Sequence, residues 1–295
     1  MVFMGSAILP FIWLNGSIMR QEEVDISCMF HHSLHYGSGV FEGEISYNGK
    51  VFKIDDHTDR LFSSASTLLM NIPFTKQQIK DATYSLIERN GYMEKNCYVR
   101  PFVWRSDNSL KVNSSNDDMC SCAIVLKEHT PSGVQSSVKL TVSSWQRPHA
   151  NFTLYQCKSA GGYNVSFLSA REAVLSGFDD AVLLDSLGYV SEASTSNIFF
   201  IRDGAIFTPN ANCCLNGITR QTVLEIALNE KISATQLNIK EEEIGSYEAA
   251  FLTGTSLAIK PISSIYLPSS GINIELNAKH DLIKKIYDIY ISMLI

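Results

Sequence analysis

No two cysteines of this sequence stand in a C-x-x-C pair, and the seven present (Cys28, Cys97, Cys120, Cys122, Cys157, Cys213 and Cys214) make an odd number. A zinc ribbon or a disulfide framework is therefore poorly supported, and a reducing compartment, the cytoplasm, is expected. A long apolar run is also missing. Ala7 to Leu14 is broken by Pro10, has no basic lead and is too short to cross a bilayer, so no membrane partner is expected. No dense basic run occurs and the net charge is −6, which argues against nucleic acid as a partner. There is no G-x-S-x-G elbow for a serine hydrolase. The one G-x-G, at Gly37 and Gly39, lacks the third glycine and the βαβ setting of a dinucleotide site. His31 and His35 would share a helix face, but no acidic residue lies among them and HYGSGVFEG does not read as a helix. No metal site is expected there.

What is present suits a packed protein of two domains: 295 residues, 45% hydrophobic and 18% charged. Phe11 to Asn15 followed by Gly16 predicts a strand and a turn. Asn48-Gly49 between Glu44–Tyr47 and Lys50–Ile54 predicts a hairpin, because the pair supplies the two positive φ angles of a tight turn. Asp55 and Asp56 stand where an N-cap is wanted for a helix over His57–Met70. Further helices are predicted over 77–89, 160–176, 219–229 and 279–294, and strands over 98–104, 138–143, 181–185 and 197–201. The polar stretch 127–137 (KEHTPSGVQSS) reads as a linker between a small domain, 1–126, and a large one, 138–295. Helices and strands mix without a steady βαβ rhythm, so the class expected is α+β.

Several residues could carry chemistry, each with an ordinary reading beside it. Lys158 lies among small residues in YQCKSAGGYN, where a bulky group could rest against the backbone; the ordinary reading is a surface lysine. Glu192, in YVSEASTSN, could equally serve a turn. In LNGITRQT, Gly217, Ile218 and Thr219 open a helix whose exposed N–H groups suit an anion, or simply begin a capped helix. TGTS, Thr253 to Ser256, is a second donor-rich loop. Arg60 could face a phosphate with its guanidinium fork, or pair on the surface with Asp56.

Taken together and in order, these pieces resemble the class IV, fold-type IV aminotransferases, and within them the branched-chain amino-acid aminotransferases. The resemblance runs from about Trp13 to about Pro261, through HYGSGVFEG, DDHTDRLFSSA, YVRP, KSAGGYN, DSLGYVSEASTSNIF, LNGITR and TGTS. It implies a two-domain fold like that of D-amino-acid aminotransferase, with pyridoxal 5′-phosphate at the domain interface, and a homodimer or higher homo-oligomer. Lys158 matches the catalytic lysine that bonds the cofactor. Arg60, Gly217, Ile218, Thr219, Gly254 and Thr255 match the phosphate-holding positions. Glu192 matches the carboxylate at the ring nitrogen, Tyr163 the tyrosine near the phenolic oxygen, and Leu215 a side chain packed on the ring. Tyr36, Phe41, Tyr98, Arg100 and Ser256 match substrate-binding positions.

The resemblance implies transamination between leucine, isoleucine or valine and 2-oxoglutarate, so the partners are amino acids and 2-oxo acids. Departures concern the substrate side. The linker is short and polar where the family has an aromatic, glycine-rich loop. Ser256 replaces a usual alanine, Asn164 a usual apolar residue, and SSIYLPSSG replaces a charged hairpin after Pro261. The alternatives are a D-amino-acid aminotransferase or aminodeoxychorismate lyase of the same fold, against which Tyr163 and YVRP argue, and a non-catalytic cofactor-binding relative.

Overall fold

The computed structural model describes residues 9–23, 30–108, 110–113, 118–130, 136–148 and 155–294. The start of the Ala7–Leu14 stretch, Cys28 and positions 131–135 of the expected linker lie outside the described residues. The described residues fall into two compact units, one within Met1–Pro131 and Cys157–Gly161, the other within Ser132–Gln156 and Gly162–Leu294.

In the first unit the chain runs β1 (Phe11–Leu14), β2 (Ser17–Arg20), α1 (His32–Tyr36), β3 (Gly39–Phe41), β4 (Glu44–Tyr47), β5 (Lys50–Val51), α2 (Ile54–Thr67), α3 (Lys76–Arg89), β6 (Cys97–Arg105) and β7 (Cys120–Glu128). Its strands form one antiparallel sheet in the order β2-β1-β7-β6-β4-β5, with β3 also paired to β6. Along β6 buried and half-buried residues alternate without a break, as a strand with one face on a core requires. That core gathers Leu61 and Ala65 of α2, Leu86 and Ile87 of α3, and Val99, Val103, Ile124 and Leu126 of the sheet. The tight turn at Asn48-Gly49 has φ of 48° and 80°, as its sequence predicts, and a Cβ at Gly49 would lie 2.8 Å from the Met93 carbonyl oxygen.

Several local expectations fail here for identifiable reasons. Asp55 and Asp56 do not cap α2. The helix starts at Ile54, three residues before the expected His57, behind Lys53, whose φ is 49° and which makes no side-chain cap. Both aspartates sit in the first turn instead, where the helix dipole favours them. The strand after the hairpin ends at Val51 rather than Ile54, because the chain must reverse into α2. His32–Tyr36 does form a short helix, closed by Gly37 in the left-handed conformation at φ 66°. Lys127 and Glu128, expected to begin a linker, complete β7 opposite Tyr98 and Cys97.

The second unit runs β8 (Val138–Gln146), α4 (Asn164–Leu175), β9 (Asp180–Leu184), β10 (Val190–Ala193), β11 (Asn197–Arg202), β12 (Ala205–Pro209), α5 (Ile218–Asn229), β13 (Ala234–Leu237), β14 (Ala249–Gly254), β15 (Ala258–Leu267), β16 (Ile272–Glu275) and α6 (Asp281–Ser292). Its sheet order is β10-β9-β8-β15-β14-β11-β12-β13, with β16 also on β15. Three pairs are parallel, β8 with β9, β8 with β15, and β12 with β13, and the remainder antiparallel. The mixture makes the class α+β, as the sequence predicts. No helix among the described residues is long and apolar enough to cross a membrane.

Candidate active site

Lys158 lies in the first unit, although its place in the sequence follows the start of β8. Short backbone contacts hold it there. Its N–H donates to the Ser64 hydroxyl on α2 at 3.0 Å, and its carbonyl accepts from the Phe41 N–H at 3.1 Å. Ser159 bridges Val40, and the Gly161 N–H donates to the Gly37 carbonyl at 3.2 Å. The two glycines make this approach possible, since a Cβ on Gly37 would lie 2.9 Å from the Gly161 Cα. The small residues after Lys158 therefore serve backbone packing against α1 and β3. The lysine Nζ stands 5.0 Å from the Phe41 ring centroid, and the Arg100 guanidinium 4.5 Å from the same ring. An aromatic face attracts both cations. Arg100 Nε and Nη2 also donate to the Tyr98 hydroxyl, at 3.1 and 2.5 Å. Lys158, Phe41, Tyr98 and Arg100 are thus brought together. Tyr36 is not part of this group: it is largely exposed and its hydroxyl donates to the Leu110 carbonyl at 2.6 Å.

Arg60 is half-buried and does not pair with Asp56, which faces Lys53 instead at 3.7 Å. Its Nε and Nη2 donate to the two carboxylate oxygens of Glu42, at 2.6 and 2.8 Å. His57, one turn earlier on α2, meets the same carboxylate through Nδ1 at 2.8 Å. Burial alone would raise the Glu42 carboxyl, but Arg60 and His57 outweigh it and bring it down to about 2. Burial pushes His57 below its ordinary value despite the carboxylate. Glu44, two residues later at the start of β4, is also buried; desolvation, and then the Glu42 charge, push its carboxyl well above the usual range.

In the second unit Glu192 on β10 is buried, with 4% of its surface exposed. Arg147, just past β8, pairs with one of its oxygens, and the Asn197 side-chain amide donates to the other at 3.3 Å. That amide also donates to the Leu215 carbonyl at 2.8 Å, so it ties the LNGITR segment to the glutamate. Gly217 is the N-cap of α5 and makes no side-chain cap. Any Cβ there would collide with the Asn197 side-chain oxygen. The helix therefore presents its first N–H groups without a side-chain acceptor from the cap, with Ile218 and Thr219 buried behind it. Gly254 ends β14 beside Ser196, whose hydroxyl would lie 3.3 Å from a Cβ there. Asn197 pairs with Thr253 across the strands, and Thr255 and the exposed Ser256 form the turn that follows. Tyr163 closes a short 3-10 turn ahead of α4. Among the described residues no group of three or more His, Cys, Asp or Glu side chains is placed to hold a metal ion.

The described residues thus include a lysine fixed through its backbone, a buried carboxylate with paired donors, and a helix start without a side-chain cap. A model of the class IV amino-transferase family matches residues 39–265. The chain belongs to the class IV aminotransferase family. A probable branched-chain-amino-acid aminotransferase of Rickettsia felis is 38% identical over 94% of both chains. A branched-chain aminotransferase of the archaeon Thermoproteus uzoniensis, solved with norvaline, superposes with a TM-score of 0.89. It is 31% identical and covers 98% of this chain and 95% of its own. The branched-chain amino acid aminotransferase of Thermobaculum terrenum, solved in its PLP form, gives a TM-score of 0.88 at 26% identity, over 97% of this chain and 94% of its own. The family resemblance read from the sequence therefore holds, and this class IV aminotransferase has the fold-type IV architecture expected of it.

Glu42, Ser64, Arg147 and Asn197 contact the candidate residues directly, and His57 does so through Glu42; the sequence reading did not single them out. Glu42 had a signal: an acid between Phe41 and Gly43 in a strand-like segment is placed to be buried, and a buried acid needs partners. Arg147 and Asn197 carried none, because each is recognised only by its distant partner.

Proposed function

We propose that this enzyme transfers the amino group of leucine, isoleucine or valine to 2-oxoglutarate, using pyridoxal 5′-phosphate carried on Lys158. The observation that carries the reading is the family match together with the Lys158–Phe41–Arg100–Tyr98 group. The residues fit the cofactor on chemical grounds. A buried glutamate ringed by Arg147 and Asn197 is a ready acceptor for a protonated ring nitrogen, and an uncapped helix start is a ready anion site. The cofactor supplies the electron sink for a carbanion at Cα.

The protein's own part is positioning and proton transfer. The Lys158 amine would serve as the general base for the Cα proton and as the acid that gives it back, and its backbone clamps to Ser64 and Phe41 make its position reproducible. Glu192 orients and charges the ring nitrogen, since an opposite charge and hydrogen-bond donors favour the ionised form of a carboxylate. By the family resemblance, Arg60, the N–H groups at Gly217, Ile218 and Thr219, and the Gly254–Thr255 turn would hold the phosphate, Tyr163 would meet the phenolic oxygen and Leu215 would pack on the ring. Phe41 and Tyr98 give the aliphatic side chain an apolar wall, and Arg100 beside them takes the distal carboxylate of glutamate. The Ser256 N–H would complete the substrate contacts, while Tyr36, which the resemblance puts in the same set, stands apart from the Lys158 group with its hydroxyl on the Leu110 carbonyl. We place the enzyme in the cytoplasm as a homodimer or larger homo-oligomer.

The test is a donor panel with 2-oxoglutarate as acceptor, read as glutamate formed. L-Leucine, L-isoleucine and L-valine should be turned over, and D-amino acids should not. A panel in which no branched-chain amino acid reacts would remove the substrate assignment.

A further inference from the structure

Glu42, His57 and Glu44 are buried, titratable and unused by the chemistry above. Glu42 stands at a junction. Its neighbour Phe41 donates to the Lys158 carbonyl, and its own N–H donates to the Pro101 carbonyl at 2.8 Å. Its carboxylate receives Nε and Nη2 of Arg60 at 2.6 and 2.8 Å and Nδ1 of His57 at 2.8 Å. A bidentate pair of this kind fixes both the plane and the rotation of a guanidinium. Ser64, one turn beyond Arg60 on α2, accepts from the Lys158 N–H. Two adjacent residues, Phe41 and Glu42, therefore set the lysine backbone and the arginine head against one another.

We propose that Glu42 is a positioning residue for the cofactor phosphate: it locks the Arg60 guanidinium at a fixed place relative to Lys158, and His57 braces the carboxylate that does so. The inference rests on the reading that Arg60 meets the phosphate. With both carboxylate oxygens on Arg60, Glu42 would act on the phosphate through that guanidinium. Its effect is therefore confined to ligands that carry the phosphate group.

That confinement supplies the experiment. Holoenzyme is stripped of cofactor and titrated with pyridoxal 5′-phosphate and, separately, with pyridoxal, reading the absorbance of the bound ligand. Glu42→Gln is expected to weaken pyridoxal 5′-phosphate about tenfold or more, the scale usual for a residue that orients a ligating group, and to leave pyridoxal unchanged. Glu42→Asp keeps the charge but draws it back by one methylene, and is expected to show the same selective loss, smaller. It carries the test should Glu42→Gln fail to fold. Equal weakening of both ligands makes Glu42 a general scaffold residue and overturns the proposal. Arg60→Lys separates the proposal from the reading beneath it. If Arg60→Lys loses affinity for the phosphate ester and neither Glu42 variant does, the proposal falls and Arg60 keeps its role. If Arg60→Lys retains full preference for the phosphate ester, the reading fails and the proposal with it.

Discussion

Each unit of this enzyme buries one paired glutamate, and the two are held differently. In the first unit, Glu42 receives three donors from two side chains on one face of α2, and its charge is matched by Arg60 at close range. In the second, Glu192 lies on a sheet strand and draws its donors from Arg147, 45 positions earlier, and Asn197, five positions later. Glu42 is saturated by its own scaffold, which suits a residue that positions another. Glu192 takes an arginine on one oxygen and an amide on the other, drawn from two separate parts of the chain, which suits the proposed partner of a ring nitrogen. Glu44 shows the contrast: desolvation, and then the Glu42 charge, push its buried carboxyl well above the usual carboxylate range, against the smaller pull of Arg60.

The largest effect should come from deleting the saturated glutamate. Glu42→Ala leaves Arg60 and His57 buried beside an uncompensated gap, and a loss of about 3–5 kcal/mol is expected in urea unfolding at neutral pH. The sign of its pH dependence follows from the lowered folded value. Stability from Glu42 is present above the ordinary 4.5 and is lost as pH falls through about 2, so the deficit should narrow across that window.

Next comes Glu192→Gln, expected to lower kcat about 10²-fold or more, the scale seen when one charge-stabilising group is removed. If Glu192→Gln changed only the unfolding midpoint and left kcat untouched, the contrast between a positioning and a cofactor-facing carboxylate would break.

A smaller effect is expected from Gly43→Ala. The new Cβ would collide with the Tyr98 hydroxyl, which Arg100 Nη2 holds at 2.5 Å. A cost of about 1–3 kcal/mol in thermal unfolding is expected from overpacking, with a higher KM for branched-chain substrates. The smallest is Glu44→Gln. Because burial holds the folded carboxyl well above its ordinary 4.5, native Glu44 lowers stability as pH rises past that value. The glutamine variant should match the native enzyme below it and become the more stable of the two towards neutral pH. A variant less stable at neutral pH would mean that Glu44 is ionised and paired.

The legible parts of the molecule were those encoded locally. Asn48-Gly49 has the paired positive φ angles that such a dipeptide favours. The alternation of 98–104 is the pleat of β6. The helix from Ile218 begins at the glycine expected to open it. What was hidden depends on partners far along the chain. Nothing in KSAGGYN says that Cys157–Gly161 packs with the first unit, because the reason lies in Gly37, Phe41 and Ser64, 94 or more positions earlier. The surface partner read for Arg60 was the wrong one. Spacing on a helix favours Asp56, while burial makes the distant Glu42 carboxylate the stronger acceptor. The parallel pairing of β8 with both β9 and β15 likewise has no local sign.

The most direct test of the whole account is to reduce the holoenzyme with borohydride, digest it and locate the modified lysine by mass spectrometry. The expected result is one phosphopyridoxyl adduct, on the peptide that contains Lys158. An adduct on any other lysine, or none at all, would contradict it.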